Sequence, residues 1–226
     1  MEGLEVRRVE RCGSTNERLL AEGRPGVLLI ADEQTAGRGR RGRRWYSGGA
    51  TFSISVEVNR PVREFAGLSL VAGVAAARAL RGLGAERVAL KWPNDLLLDG
   101  AKLGGILVET RNTLAVIGIG INCRRDPSLE RRVRRAVAFV DIDRDDVVAG
   151  VAHELLAALA LFEREGLEPI RAQWERMHAH DGERVRVRLP DGRVVIGIAR
   201  GLDADGGLRL DTRGGMRAVR SGRLLL

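Results

Sequence analysis

The sequence predicts an α/β (α+β) domain followed by a small all-β domain, and three observations carry that expectation. Strand-like and helix-like patterns interleave over the first 181 residues. Within them, Asp143–Glu165 is long and amphipathic, with Val147, Val151, Leu155, Ala158 and Phe162 on one stripe. From Gly182 the pattern changes to short strands separated by Asp191-Gly192, Asp205-Gly206 and Gly214-Gly215 turns. The change puts a domain boundary near Asp181, dividing the chain into residues 1–181 and 182–226.

In order, Leu4–Val9 alternates as a strand, and Ser14-Thr15-Asn16-Glu17 is a capping-box start for a helix to about Ala21. Gly23–Gly26 ends that helix, and Val27–Ala31 is an apolar strand. Thr51–Val58 alternates, with Phe52, Ile54, Val56 and Val58 on one face. Pro61 introduces one helical stretch, Glu64 to Gly82. Arg87–Leu90 is a strand ending in Lys91-Trp92-Pro93-Asn94-Asp95, where Pro93 lacks a donor and forces a bend. Leu96–Leu98, the Asp99-Gly100 turn and Leu103–Glu109 form a hairpin, with Lys102 just past the turn. Gly104-Gly105 leaves room for close approach by a ligand or backbone. Arg111-Asn112 turns into the strand Thr113–Ile121. After a basic segment bearing Arg131, Arg132, Arg134 and Arg135 come the long helix and a second one, Glu168–His180, with Trp174 inward. The small domain holds strands Val185–Leu189, Val194–Ala199, Leu208–Leu210 and Arg217–Leu226.

The formal net charge is +8, which favours anionic partners and says nothing of fold. Cys12 and Cys123 are too few for a disulfide framework or zinc site, and none of His153, His178 and His180 makes an i, i+4 metal pair. No apolar run is expected to reach membrane-spanning length, and Met1-Glu2-Gly3 does not open a signal peptide, so a cytoplasmic setting is expected. Of 38 basic residues only Lys91 and Lys102 are lysines. A compact ammonium differs from a planar guanidinium, so two readings stand open: accident, or places where arginine cannot substitute.

The stretch Gly37–Trp45, GRGRRGRRW, sets five arginines among three glycines. Like charges at that density stay apart unless an anion fills the space between them. Gly37 to Gly42 formally fits G-x-G-x-x-G, but a strand pattern follows rather than a helix, so the dinucleotide reading fails. No Gly-Lys-Ser/Thr is present, which removes the P-loop. A flexible loop closing on phosphate or carboxylate and a disordered nucleic-acid-binding tract both remain open.

Ser14-Thr15-Asn16, Gln34 with GRGRRGRRW, Lys91-Trp92-Pro93-Asn94-Asp95, Lys102–Glu109 and Gly118–Asn122 together resemble the biotin–protein ligases, in order and spacing. The resemblance implies a mixed sheet flanked by helices, like that of class II aminoacyl-tRNA synthetases, followed by an SH3-like β-barrel. It implies an ATP-dependent enzyme that makes biotinyl-5′-AMP from biotin and Mg-ATP, then transfers the acyl group to a lysine of a biotin carboxyl carrier domain. By resemblance, Ser14, Thr15, Asn16 and Gln34 line the biotin head pocket, with Gly105 and Gly118 in its walls. Arg38, Gly39 and Arg40 hold the carboxylate and adenylate phosphate, and Lys102 spans the reacting groups. Lys91, Trp92, Asn94, Asp95 and Asn122 lie near the nucleotide, with Asp95 closest to Mg2+. The pattern starts almost at Met1, so the form expected lacks an N-terminal DNA-binding domain, with no specific nucleic acid or membrane as partner. A homodimer is common in the family. Phe139 is the aromatic left to meet adenine, since no Trp lies between Trp92 and Trp174. A lipoate–protein ligase and a nucleic-acid-binding protein are the alternatives.

Overall fold

The computed structural model describes residues 4–46, 49–133 and 136–225, apart from the Ser128 side chain. Readings that fall on Met1-Glu2-Gly3, Ser47-Gly48, Arg134-Arg135 and Leu226 lie outside the described residues.

Strand β1 (Glu5–Cys12), helix α1 (Thr15–Glu22) and β2 (Val27–Gln34) form a β-α-β unit with parallel strands. Ser14 caps α1 by accepting from the Glu17 amide at 3.4 Å, and Gly23 ends it at φ 72. The expected capping box is half made: the Glu17 carboxylate is paired with Arg38 instead. β3 (Ala50–Glu57), β4 (Val88–Lys91), β5 (Asp95–Leu98), β6 (Ala101–Arg111) and β7 (Leu114–Ile121) complete a seven-stranded mixed sheet, ordered β1-β2-β3-β7-β6-β5-β4. The hairpin turns at Asp99-Gly100 and Asn112 take positive φ, as tight antiparallel connections require.

One face of this sheet carries Phe52, Ile54, Ile106, Ile117, Ile119 and Ile121 against α2 (Leu68–Gly82) and α4 (Arg144–Glu165). α4 buries the stripe the sequence predicted. α2 is shorter than expected, because Val62–Gly67 forms a separate 3-10 turn before it. Against the expectation, Val62–Gly82 is long and apolar enough to count as a candidate membrane span; 72% of it is buried in the core, as in a soluble protein's core helix. The single buried face foreseen for β3 is also corrected. Thr51, Ser53 and Ser55 on its other face are buried too, beneath α1 and the segments that close over the sheet.

α3 (Pro127–Val133) belongs to the basic segment, and α5 (Glu168–Arg176) follows α4 with Trp174 buried. α5 stops at Arg176 rather than His180. Backbone groups of Met177 and Ala179 bond to Leu90 instead, extending the edge beside β4. The C-terminal strands β8 (Arg184–Arg188), β9 (Val194–Leu202), β10 (Leu208–Thr212), β11 (Gly215–Val219) and β12 (Arg223–Leu225) form one antiparallel sheet, ordered β11-β10-β9-β8-β12. Arg217–Leu226, expected as one strand, is two: the chain turns at Arg220–Gly222, where a side chain at 222 would strike Val187. No ladder joins β11 to β12 among the described residues, so the five strands pair as an open sheet.

The two sheets meet at polar contacts over a shared core. Trp92 Nε1 donates to Gly206 O at 3.1 Å, and the Leu202 amide donates to Glu175 Oε1 at 2.8 Å. Beside this junction the His178 ring lies 4.6 Å from the Trp174 ring, and neither imidazole nitrogen has a hydrogen-bond partner. Burial, and then neighbouring His180, hold the His178 pKa down from 6.5 to about 4, against opposite pulls from Asp181 and Glu183. Its neutral form is therefore favoured in the fold. That stability is present above pH 6.5 and is lost as pH falls towards 4. Urea unfolding should lose roughly 2 kcal/mol between pH 7 and pH 5 from this group. His178→Phe should flatten that loss; an equal loss in the variant would place its cause elsewhere.

Candidate active site

The sheet face away from α2 and α4 is built from small residues in register. Thr51, Gly120, Gly105, Asp95 and Lys91 stand directly across from one another on five consecutive strands, and so point the same way. Two residues along, Leu29, Ser53, Gly118 and Leu107 form the next row. Glycines in the middle of both rows leave the backbone open, and a cavity of about 400 Å³ lies over them.

The N-terminus of α1 forms the polar end of this cavity. Thr15 and Asn16 are buried, because Ser14 starts the helix directly above the sheet. Thr15 N and Oγ1 donate to Gln34 Oε1 at 2.7 and 3.0 Å. Asn16 Nδ2 donates to Glu109 Oε2 at 2.8 Å and Leu107 O at 3.2 Å, while its Oδ1 lies 2.6 Å from Ser53 Oγ. A Cβ at Gly118 would overlap Asn16 Oδ1, so only glycine lets this asparagine lie flat on the floor.

The arginine loop folds back on itself over the other end. Gly39 N donates to Arg43 O at 2.6 Å and Trp45 N to Gly37 O at 2.8 Å. Trp45 lies against Gly120 and Gly105; a Cβ at Gly120 would overlap its indole. Trp45 Nε1 and Thr51 Oγ1, both at the cavity, have no hydrogen-bond partner among the described residues. Arg40 reaches inward, with Nη1 3.3 Å from Asn94 Oδ1. Burial and neighbouring Arg41 lower its pKa from the ordinary value, partly offset by Asp95.

Lys102 reaches the cavity by way of a β-bulge. Leu96 pairs with Gly104, but Leu97 pairs with Lys102, so β6 carries one extra residue. The bulge turns Lys102 to the face of Asp95 and Gly105 and lets Leu103 enter the core on the other side. Lys102 Nζ is ion-paired with Asp95 and lies 5.7 Å from the Trp45 ring centre. Its backbone is strapped to residues 136–138, with Ala138 N donating to Lys102 O at 2.9 Å. Among the described residues, Arg38, Arg40, Arg43, Arg44, Lys102, Arg132 and Arg223 stand around the cavity, with Asp95 as the single carboxylate.

The structure thus brings together Ser14, Thr15, Asn16, Gln34, Arg38, Gly39, Arg40, Asn94, Asp95, Lys102, Gly105 and Gly118. It does not bring Lys91, Trp92 or Asn122 to this cavity. Lys91 lines a smaller adjoining cavity with Arg41 and Arg223. Trp92 is buried, donates its indole N–H to Gly206 at the junction between the sheets, and lines that adjoining cavity together with Lys91, Asn94 and Asp95. Asn122 is buried and donates to Ala138 O at 3.2 Å, clamping the strap beside Lys102. Phe139 lines none of these cavities. Sequence reasoning missed Trp45 and Thr51 as wall residues, Ser53 as partner of Asn16, and Arg132 and Arg223 as distant cations. Only Trp45 carried a signal, a large ring beside a charged loop.

A cation-walled cavity with a glycine floor and a short polar nook defines a protein that draws anionic groups together beside a compact polar head group. A model of the biotin/lipoate A/B protein ligase family matches residues 9–124, and one described as the biotin protein ligase C-terminal domain matches residues 180–224. The bifunctional ligase/repressor BirA of Escherichia coli is 39% identical, over 94% of this chain and 71% of its own. The biotin–[acetyl-CoA-carboxylase] ligase of Mycobacterium tuberculosis is 37% identical, over 95% and 86%. The structure of biotin protein ligase from Aquifex aeolicus with biotin and ATP superposes with a TM-score of 0.85, at 28% identity, covering 98% of this chain and 97% of that one. The chain belongs to the biotin/lipoate A/B protein ligase family.

Gly118→Ala should push Asn16 off the floor, costing roughly 1–3 kcal/mol of stability and abolishing any thermal shift induced by biotin. Gly82→Ala, at a helical position with open space around it, should instead stabilise by roughly 0.5–1 kcal/mol. Matching responses of the two variants would mean that contact with Asn16 plays no part.

Proposed function

We infer that the protein is an ATP-dependent biotin–protein ligase that forms biotinyl-5′-AMP and passes the acyl group to a lysine of a biotin carboxyl carrier domain. The observation that carries this is that, among the described residues, seven cations face one carboxylate over a glycine floor, with the α1 polar nook at one end. The match to a biotin protein ligase C-terminal domain favours biotin over lipoate. The arginine loop folds onto the sheet through Trp45, which speaks against a free nucleic-acid-binding tract.

In the first step a biotin carboxylate oxygen attacks the α-phosphorus of ATP and pyrophosphate departs. Both reactants are anions, so their repulsion is the first barrier, and fixed cations lower it without reorganising as charge moves. The head group fits the nook, where Ser14, Asn16 and Gln34 offer short polar contacts and Thr51 Oγ1 and Trp45 Nε1 are uncommitted. Arg38, Gly39 and Arg40 hold carboxylate and phosphate. Lys102 lies between the nook and Asn94, placed to bridge the reacting oxygens once they compete with Asp95 for its ammonium. In the second step the acceptor amine attacks the acyl carbon and AMP leaves, its charge held by the same groups.

Among the described residues no three His, Cys, Asp or Glu side chains gather to hold a metal. Asp95 alone fits a magnesium that arrives on ATP with phosphate and water as its other ligands. Its pairing with Lys102 makes it first a positioning residue for that lysine. We assign residues 1–181 to catalysis and 182–226 to the β domain, with cytoplasm as the setting.

Lys102→Ala should fold and lose roughly a hundred- to a thousandfold in rate, the cost of one preorganised donor, in both half-reactions. Lys102→Arg should rescue poorly, since a bulkier fork points differently from the bulge. Pyrophosphate release with biotin and ATP, and transfer from purified biotinyl-AMP, would be timed separately in single turnovers. Near-normal rates for Lys102→Ala would remove it from the site.

A further inference from the structure

The outward face of the C-terminal sheet has no element packed on it among the described residues. β8 reads Arg-Val-Arg-Val-Arg: Val185 and Val187 are buried, while Arg184, Arg186 and Arg188 stand exposed on the other side. Alternate residues on a strand lie about 7 Å apart, so the three guanidiniums span about 13 Å. Register continues this stripe: Arg223 of β12 stands directly across from Arg188. Arg223 also lines the catalytic cavity, so one sheet face runs from β8 to the mouth of the site.

Charge and apolar surface on this face both point to a partner. Residues 182–226 hold ten arginines against five carboxylates. Asp191 and Asp205 pair with Arg193 and Arg220, which leaves Asp211, in the row of Arg184 and Ile198, as the carboxylate on this face among the described residues. None of Arg184, Arg186, Arg188 and Arg223 is ion-paired among the described residues, whereas most arginines on β1, α1, α2 and α4 are. Beside the stripe, Ile196 is 44% and Met216 53% exposed, and Val194 stands across from Arg188. Residues 182–226 contain no Phe, Tyr or Trp, so the face offers no ring on which a nucleic-acid base could stack. Arginines around exposed aliphatic side chains instead suit a folded protein with an acidic surface.

We propose that this face, Arg184, Arg186 and Arg188 with Val194 and Ile196, docks an acidic surface of the acceptor domain and delivers its lysine past Arg223 into the cavity. The proposal rests on the ligase reading. That reading makes a separable test available, because adenylate formation needs no acceptor.

The probe is a recombinant biotin carboxyl carrier domain of an acetyl-CoA carboxylase. The triple variant Arg184→Ser/Arg186→Ser/Arg188→Ser, and separately Ile196→Asp, should release pyrophosphate from biotin and ATP within twofold of the parent rate. Each should raise the KM for the carrier domain at least tenfold, with kcat at saturation within twofold. For the parent, kcat/KM for the carrier should fall steeply with added salt, and the triple variant should flatten that slope. If the triple variant is unstable, Arg186→Gln/Arg188→Gln reads the same surface with side-chain length kept. A carrier KM within twofold of parent in these variants, with adenylate formation intact, would overturn the docking proposal. A parent protein that releases no pyrophosphate would overturn the ligase reading and the docking with it. If a single-stranded oligonucleotide bound the parent and not the triple variant, with carrier KM unchanged, the face would belong to nucleic acid and the proposal would fall.

Discussion

A single extra residue in β6 decides which way Lys102 points, and much of the cavity depends on it. With regular alternation, Lys102 would face the helices and Leu103 the cavity. An ammonium in that core would be stripped of water beside Leu96 and Ile121, at a cost of several kcal/mol with no carboxylate in reach. The bulge at Leu97 exchanges the two faces locally and leaves Asp95 as a charged partner. It works because its neighbours are fixed: Ala138 bonds to the Lys102 carbonyl and Asn122 holds Ala138. Asn122 is thereby tied, through Ala138, to the backbone of Lys102.

The distribution of charge follows a related logic. On the catalytic sheet and its helices, many arginines pair with carboxylates, as in Arg7 with Glu22 and Arg78 with Glu154. Around the cavity only Arg38 pairs with a carboxylate, Glu17, among the described residues, while burial and neighbouring Arg41 lower the pKa of Arg40. Such crowding destabilises the empty site and is relieved when anions enter. The arrangement therefore favours ligands that bring negative charge, and favours most a transition state in which that charge is spread over two reacting groups.

Much of this was legible in the sequence because it rests on local chemistry. Strand alternation, the Ser14 cap, the Asp99-Gly100 turn and the α4 stripe are short-range patterns, and each lies where expected within a few residues. Gly104-Gly105 was readable as a place of close approach, and at Gly105 the structure sets Lys102 and Trp45. What escaped depends on distant partners. The bulge leaves no mark, since Lys102-Leu103 alternates normally in sequence. Trp92 sits inside a polar pentapeptide, and its burial follows from Gly206, which is 114 residues away. α5 ends early because Leu90 competes for its last backbone groups. Arg223 enters the cavity only because β12 pairs with the outer edge of β8.

The scarcity of lysine has a consequence for the protein's own chemistry. An acyl adenylate is an electrophile, and a molecule that escapes before transfer acylates whatever primary amine it meets. A guanidinium stays protonated at any physiological pH and is inert to such an attack. With 36 arginines and two lysines, the surface offers almost no side-chain amine to its own product. Lys102 is held by Asp95, and Lys91 is partnered as well. The cations that gather the reactants are thus nearly all of a kind that cannot become the label's target, and the chain is built to survive the reagent it makes.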